Sequence, residues 1–200
     1  MRIGVFGGTF DPPHIGHLIL AAEARDQLSL VRLLWVLTPD PPHKPNQTIS
    51  PLAQRLELVQ AAISGDPGFE LSGVDIDRPG PHYALDTMGL LAVAYPGAEL
   101  VYLMGGDSLS DLPQWHQPQA FLSRCAQIGV MRRPGETIDL SQIQDILPEI
   151  SGLVQFIEAP LLDIAASEIR RRIRAGRTFQ YFLPPAVYQI ICDRNLYQTR

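Results

Sequence analysis

Apolar positions along the chain fall into short unbroken runs separated by longer stretches of helical period. Ile3, Val5 and Phe6 make the first run, and Gly7 with Gly8 ends it, which predicts a buried strand entering a tight turn. Ile15, Leu18, Ile19 and Ala22 then recur at i, i+3, i+4 and i+7, one stripe of a helix running to about Leu28. Residues 33–37 predict a second strand. Residues 39–46 carry four prolines together with His43 and Lys44 and read as a surface loop, because proline fits neither helix interiors nor central strands. Ser50 and Pro51 look like a cap and first-turn pair for a helix burying Leu52, Leu56, Val59 and Ile63, stopped by Gly65, Asp66 and Pro67. Residues 69–76 read as extended, 77–81 as a turn, and 83–95 as a helix ended by Pro96. Runs at 100–104, 128–131 and 153–157 predict further strands, the first two broken by Gly105-Gly106-Asp107 and Arg132-Arg133-Pro134-Gly135. Residues 167–175, closed by Gly176, and 184–196 predict the last helices. Five or six strands interleaved with helices predict a parallel α/β sheet with right-handed crossovers and a ligand crevice at the carboxyl ends of its strands. With no repeat or linker in view, residues 1–200 are expected to form one domain whose C-terminal helical part covers about 160–200.

Composition narrows the function. The 200 residues are 46% apolar and 18% charged, which excludes disorder and a collagen-like chain. Sixteen Lys and Arg against 21 Asp and Glu leave a net charge of −5, so neither nucleic acid nor anionic lipid is held by bulk charge. An anionic ligand needs a local positive pocket instead. The longest apolar stretches, 33–37 and 90–95, fall far short of the roughly 20 residues of a bilayer span, and none follows a basic leader. The expectation is a cytoplasmic protein with no membrane or nucleic-acid partner. Cys125 and Cys192 form no CxxC or Cys/His cluster at zinc spacing, so neither a disulfide framework nor a structural metal is suggested.

The strongest chemical signal is Gly7-Gly8-Thr9-Phe10-Asp11-Pro12-Pro13-His14-Ile15-Gly16-His17, where the first strand hands over to the first helix. Glycines there let backbone approach a ligand, and two histidines three apart on an opening turn can face one anion. A helix N-terminus adds unpaired N–H groups and partial positive charge, the makings of a phosphate site. Asp11 either caps the turn or touches a ribose. Taken singly, a Gly-Gly turn, an Asp-Pro pair and two histidines are commonplace; their conjunction favours function. Zinc would need further ligands, and His43, His82 and His116 lie in unrelated loops. The spacing also lacks the GxGxxG of a dinucleotide cofactor site.

The segment Gly7 to His17 resembles the GxFDPxHxGH signature of the HxGH nucleotidyltransferases, and the chain as a whole resembles bacterial nicotinate-nucleotide adenylyltransferases. Pro41-Pro42-His43-Lys44 is similar to that family's PPHK loop, and Arg78-Pro79-Gly80-Pro81-His82-Tyr83 with Asp86-Thr87 to its RxGxSYTxDT segment. Gly105-Gly106-Asp107-Ser108, Leu112 and Trp115 resemble GxDxxxxLxxW, Arg133-Pro134-Gly135 resembles RPG, and residues 163–170 resemble DISSTxIR. These matches run from position 4 to position 170 in the family's order.

The resemblance implies a Rossmann-like, doubly wound parallel sheet with helices on both faces and short C-terminal helices. It implies a reaction in which the phosphate of a pyridine mononucleotide attacks the α-phosphorus of Mg-ATP in line, giving a dinucleotide and pyrophosphate in NAD biosynthesis. The nucleophile is already anionic, so the protein aligns phosphates and neutralises charge rather than supplying a strong base. His14, His17, Lys44 and Arg170 are the implied catalytic residues. ATP contacts are implied at Gly7, Gly8, Thr9, Phe10, Asp11, Gly16, Gly106, Asp107, Ser167 and Ile169, with Ser167 opening its helix. Contacts to nicotinate mononucleotide are implied at Tyr83, Ala84, Thr87, Trp115 and Arg133, Trp115 offering a flat face to the cationic ring and Arg133 a partner for the phosphate. Mg2+ comes with ATP, no protein ligand to a metal is implied, and a homo-oligomer is left open. Two departures stand out. Ala165 and Ala166 replace hydroxyl residues near the triphosphate, and His82-Tyr83-Ala84 replaces SYT near the pyridine carboxylate. Nicotinamide mononucleotide is therefore the nearest rival substrate, and a nucleotide-binding sensor without turnover is the rival from another class.

Overall fold

The computed structural model describes residues 1–40, 49–131, 138–160 and 162–198. Its strands are β1 (Arg2–Gly8), β2 (Arg32–Leu37), β3 (Phe69–Ser72), β4 (Glu99–Gly105), β5 (Gln127–Met131) and β6 (Val154–Ile157). Its helices are α1 (Ile15–Gln27), α2 (Leu52–Ile63), α3 (Ala84–Ala94), α4 (Gly106–Asp111), α5 (Pro118–Leu122), α6 (Leu140–Ile146), α7 (Ala166–Arg174) and α8 (Pro185–Asp193). The strands form one sheet in the order β3-β2-β1-β4-β5-β6, every neighbouring pair parallel. The chain winds outward from β1 to β3, then returns to lay β4 on the other side of β1. That reversal opens a crevice at the carboxyl ends of β1 and β4, where this doubly wound architecture binds ligands.

Side-chain alternation along each strand feeds two cores. Ile3, Val5, Leu34, Val36, Leu100, Met104, Ile128 and Val130 pack on one face against Met88 and Leu91 of α3, Phe121 of α5 and Ile143 of α6. Phe6, Leu33, Trp35, Leu37, Val101 and Leu103 pack on the other against Leu20, Ala21 and Ala24 of α1 and Val59 and Ile63 of α2. Burial on both faces is why these strands read as continuous apolar runs. A third cluster joins Leu58 of α2 to Ile169 and Ile173 of α7 and to Val187 and Ile191 of α8. Among the described residues no helix is long and apolar enough to cross a membrane.

Several boundaries differ from the sequence expectation. β3 stops at Ser72 because Gly73 starts a turn in which its carbonyl accepts from the N–H groups of Ile76 and Asp77. Pro51, not Ser50, occupies the cap of α2, and the Ser50 N–H is spent on Asp11. α7 begins one residue early, with Ala165 as its cap, so Ser167 sits at the second helical position. α8 ends at Asp193, where Asn195 takes a left-handed φ of 52° and the Leu196 N–H returns to the Ile191 carbonyl. That is the stop Asn favours after Gly. The segments expected as polar loops after β4 and β5 instead include α4 to α6, each too short to show a helical period.

Candidate active site

A cavity of about 910 Å³ lies at the carboxyl ends of the strands. From the β1–α1 turn it takes Gly7, Gly8, Thr9, Phe10, Asp11, His14, Gly16 and His17. Phe10 adopts a left-handed φ of 46°, which folds its ring back over Gly8, so a Cβ on Gly8 would stand 2.7 Å from the ring. The same ring packs edge-on to His17 at 5.2 Å and tilted on Trp35 at 5.0 Å. His14 caps α1. Its backbone N–H donates to Nδ1 of His17 at 3.1 Å, and the two imidazoles stack with centroids 3.6 Å apart.

The N-terminus of α7 faces that of α1 across the cavity, which Ile164, Ala165, Ala166, Ser167 and Arg170 also line. Arg170 reaches over, its Nη1 donating to the Asp11 carbonyl at 2.5 Å and standing 3.9 Å from the Asp11 carboxylate. Two helix N-termini, two imidazoles and a guanidinium thus converge on one space in a chain that is acidic overall. These are donors and partial positive charges that an anionic ligand can use, set on a lining that also carries the carboxylates of Asp11, Asp75, Asp107, Asp111 and Asp163.

Asp11 is only 4% exposed. Its Oδ2 accepts from the Ser50 N–H at 3.1 Å, and its Oδ1 from the Tyr197 hydroxyl at 2.8 Å. Beneath it lies Arg55, 2% exposed. The Arg55 guanidinium donates to the carbonyls of Ser50 at 3.0 Å, Thr9 at 3.1 Å, Thr38 at 2.9 Å and Pro39 at 2.8 Å. One side chain thereby ties together the turns after β1 and β2 and the entry to α2. Burial lowers its pKa from the ordinary arginine value, with Asp11 and Asp40 pulling the other way.

The far side of the cavity is aromatic and polar. Trp115 lines it beside Tyr102, Asp107 and Asp111, with Tyr102 edge-on at 6.2 Å and Phe121 tilted at 5.3 Å. The Tyr102 hydroxyl would be 3.1 Å from a Cβ on Gly7, and burial raises its pKa. Asp75, His82, Ala84 and Thr87 complete the wall. Thr87 donates into the Asp75 carboxylate at 2.8 Å, and Arg78 Nη2 does so at 2.9 Å.

The expected site residues therefore do not all stand on the cavity. Tyr83 stacks on the exposed His116 at 4.2 Å and is not part of the lining. Gly106 is buried in the first turn of α4. Ile169 is not on the lining: its side chain is fully buried with Leu58 and Ile173, and its N–H donates to the Ala165 carbonyl. Ser167 lines the cavity without capping α7. Lys44 and Arg133, with His43, lie outside the described residues.

The cytidylyltransferase-like family model matches residues 5–172. A probable nicotinate-nucleotide adenylyltransferase of Thermomicrobium roseum is 46% identical over 99% of this chain and 92% of its own length. One from Gloeobacter violaceus is 43% identical over 99% and 97%. The chain belongs to the cytidylyltransferase-like family, and within it to the nicotinate-nucleotide adenylyltransferases. The fold is also shared with nicotinic acid mononucleotide adenylyltransferase of Plasmodium falciparum, complexed with NaAD, at 17% identity and a TM-score of 0.79 over 98% of this chain and 97% of that one.

Within this adenylyltransferase, four residues at or beneath the site escape a reading of motifs. Tyr102 is hidden inside the apolar run of β4, and Asp75 inside a segment expected to be extended. Arg55 did leave a signal: it falls three residues after Leu52 on the apolar stripe of α2, where a guanidinium either reaches out to solvent or is buried and paired. Tyr197 lies beyond the last motif and leaves none.

Proposed function

We propose that the protein transfers the adenylyl group of ATP to nicotinate mononucleotide, forming nicotinate adenine dinucleotide and pyrophosphate in NAD biosynthesis. What carries the reading is one cavity holding both a set of phosphate donors, His14, His17 and Arg170, and an aromatic wall, Trp115, suited to a pyridinium ring. The nucleotide's phosphates lie between the N-termini of α1 and α7, and the pyridine ring lies against Trp115.

A phosphate oxygen of the mononucleotide bonds to the α-phosphorus of ATP as the α-phosphorus bond to the bridging oxygen breaks, and pyrophosphate carries that electron pair away. The nucleophile arrives ionised, so the protein removes no proton. His17 accepts at Nδ1 from the His14 N–H, which leaves its Nε2 as the protonated donor atom of the neutral ring. That donor, His14 and Arg170 neutralise charge growing on the phosphoryl oxygens. Among the described residues no three His, Cys, Asp or Glu side chains are grouped to hold a metal ion. The divalent ion is read as Mg2+ that enters on the ATP phosphates as part of the substrate, where it screens their charge. Lys44 and Arg133 are assigned to the phosphates by their motifs alone. The enzyme is read as a single catalytic unit working in the cytoplasm on small molecules, without nucleic acid.

The test is pyrophosphate release from Mg-ATP with nicotinate and nicotinamide mononucleotides in parallel, compared as kcat/KM. A strong preference for nicotinate supports the reading. Comparable rates show that His82 and Ala84 relax the ring pocket, and ATP binding without release with either substrate points to a sensor.

A further inference from the structure

We infer that Tyr197 is a positioning residue for the transfer reaction, holding Asp11 so that Arg170 stays available to the phosphates; this rests on the reading of Arg170 given above. Tyr197 lies 186 positions from Asp11 in sequence, yet its hydroxyl donates to Asp11 Oδ1 at 2.8 Å. Its backbone holds a left-handed φ of 64°, a conformation a tyrosine rarely adopts, and that conformation places the ring beside the β1–α1 turn. The hydroxyl is kept protonated: burial raises its pKa, and the neighbouring Asp11 charge raises it further. It can therefore serve Asp11 only as a donor.

Two cations stand near this buried carboxylate. Arg55 is already committed to four backbone carbonyls. Arg170 has slack: it is bonded to the Asp11 carbonyl, but its Nη1 is 3.9 Å from Oδ2, beyond hydrogen-bond length. A carboxylate with so little exposure must find its donors within the protein. With Tyr197 on Oδ1 and the Ser50 N–H on Oδ2, Asp11 is satisfied without closing on Arg170. Without the tyrosine hydroxyl, Oδ1 loses its donor and the carboxylate draws harder on Arg170, the cation 3.9 Å from Oδ2, with the Ser50 and Gln54 side chains that bond the same hydroxyl as its competitors for the place. Arg170 moves toward Asp11 and away from the phosphates.

The experiment compares wild type, Tyr197→Phe, Arg170→Ala and the double variant Tyr197→Phe/Asp11→Asn, measuring kcat, both KM values and the unfolding midpoint. Tyr197→Phe is expected to lose about tenfold in kcat, the scale of a sub-ångström displacement of a phosphate-binding group, with KM for the mononucleotide unchanged. Adding Asp11→Asn removes the negative charge that recruits Arg170, so the double variant is expected to recover several-fold over Tyr197→Phe. A merely structural tyrosine gives the opposite pattern: the second substitution lowers kcat and the unfolding midpoint further, which overturns the inference. So does a Tyr197→Phe enzyme within about twofold of wild type while Arg170→Ala is severely impaired. If Arg170→Ala itself keeps wild-type kcat, the phosphate role of Arg170 fails and the inference fails with it.

Discussion

The His14 backbone N–H donates to Nδ1 of His17, and the two rings lie stacked 3.6 Å apart. A capping bond of this kind does two things at once. It satisfies an orphan donor at the start of α1, and it fixes which nitrogen of His17 carries the proton. The HxGH spacing is thus a geometric requirement, since a histidine at the third helical position reaches back to its cap and one at the second does not.

Replacing either histidine by alanine is expected to lower kcat by about 10²–10³, the usual loss on removing one donor to a developing oxyanion, or ~2.7–4 kcal/mol. His17→Ala is also expected to cost about 1 kcal/mol of stability through the lost capping bond. Steady-state kinetics with a denaturation curve for each variant separate the two effects. Unchanged kcat in both variants would remove these residues from the chemistry.

Gly16 connects the same pair in a different way. A Cβ there would stand 3.1 Å from Nδ1 and 3.3 Å from Cε1 of His14, tight enough that the imidazole must shift. Alanine favours a helix over glycine by about 0.8–1 kcal/mol. Gly16→Ala is accordingly expected to keep or slightly raise the unfolding midpoint while lowering kcat about tenfold through the displaced ring. A variant that loses stability and activity together would show that the glycine is there for packing.

The contrast between these residues and the ones beneath them shows what a sequence can disclose. The inner strands β1, β2 and β4 were legible because burial on both faces makes them near-continuous apolar runs, and the β1–α1 motif was legible because its chemistry is local, within eleven positions. Asp11 was ambiguous for the opposite reason. Its partners, Ser50, Arg170 and Tyr197, come from segments that only the completed fold brings together. Ile169 and Arg170 share a motif segment, but on a helix one position turns a side chain by about 100°, so one faces the core and the other the cavity.

Burial pushes the Cys125 thiol pKa up from its ordinary value to about 12. The unfolded chain therefore loses this proton first as pH rises, and stability is unaffected below about pH 9 and falls between about 9 and 12, by up to ~1.4 kcal/mol per unit. Tyr102 and Tyr197, also raised by burial, act in the same direction at the upper end of that range. Denaturant midpoints taken across this window are expected to drop for the wild type and to drop less steeply for Cys125→Ala. Equal slopes would place the alkaline sensitivity elsewhere.

Arg55 is the residue on which the shape of the cavity's floor depends. Its four bonds run to carbonyls on three separate turns, all on half-buried residues, and removing the guanidinium takes a donor from each of them at once. Arg55→Met fills the volume but removes the donor those carbonyls share and leaves Arg170, 3.9 Å away, as the remaining cation beside Asp11, so a loss of about 1–3 kcal/mol is expected. Arg55→Lys keeps the charge but presents a point donor that cannot span three turns, and should lose less stability yet still raise KM for ATP, because the Thr9 turn is no longer tied to Thr38 and Pro39. Chemical denaturation of both variants, with KM measured well below their midpoints, decides the matter. If Arg55→Lys matched wild type in KM, charge alone would suffice and the fork of bonds would have no functional part.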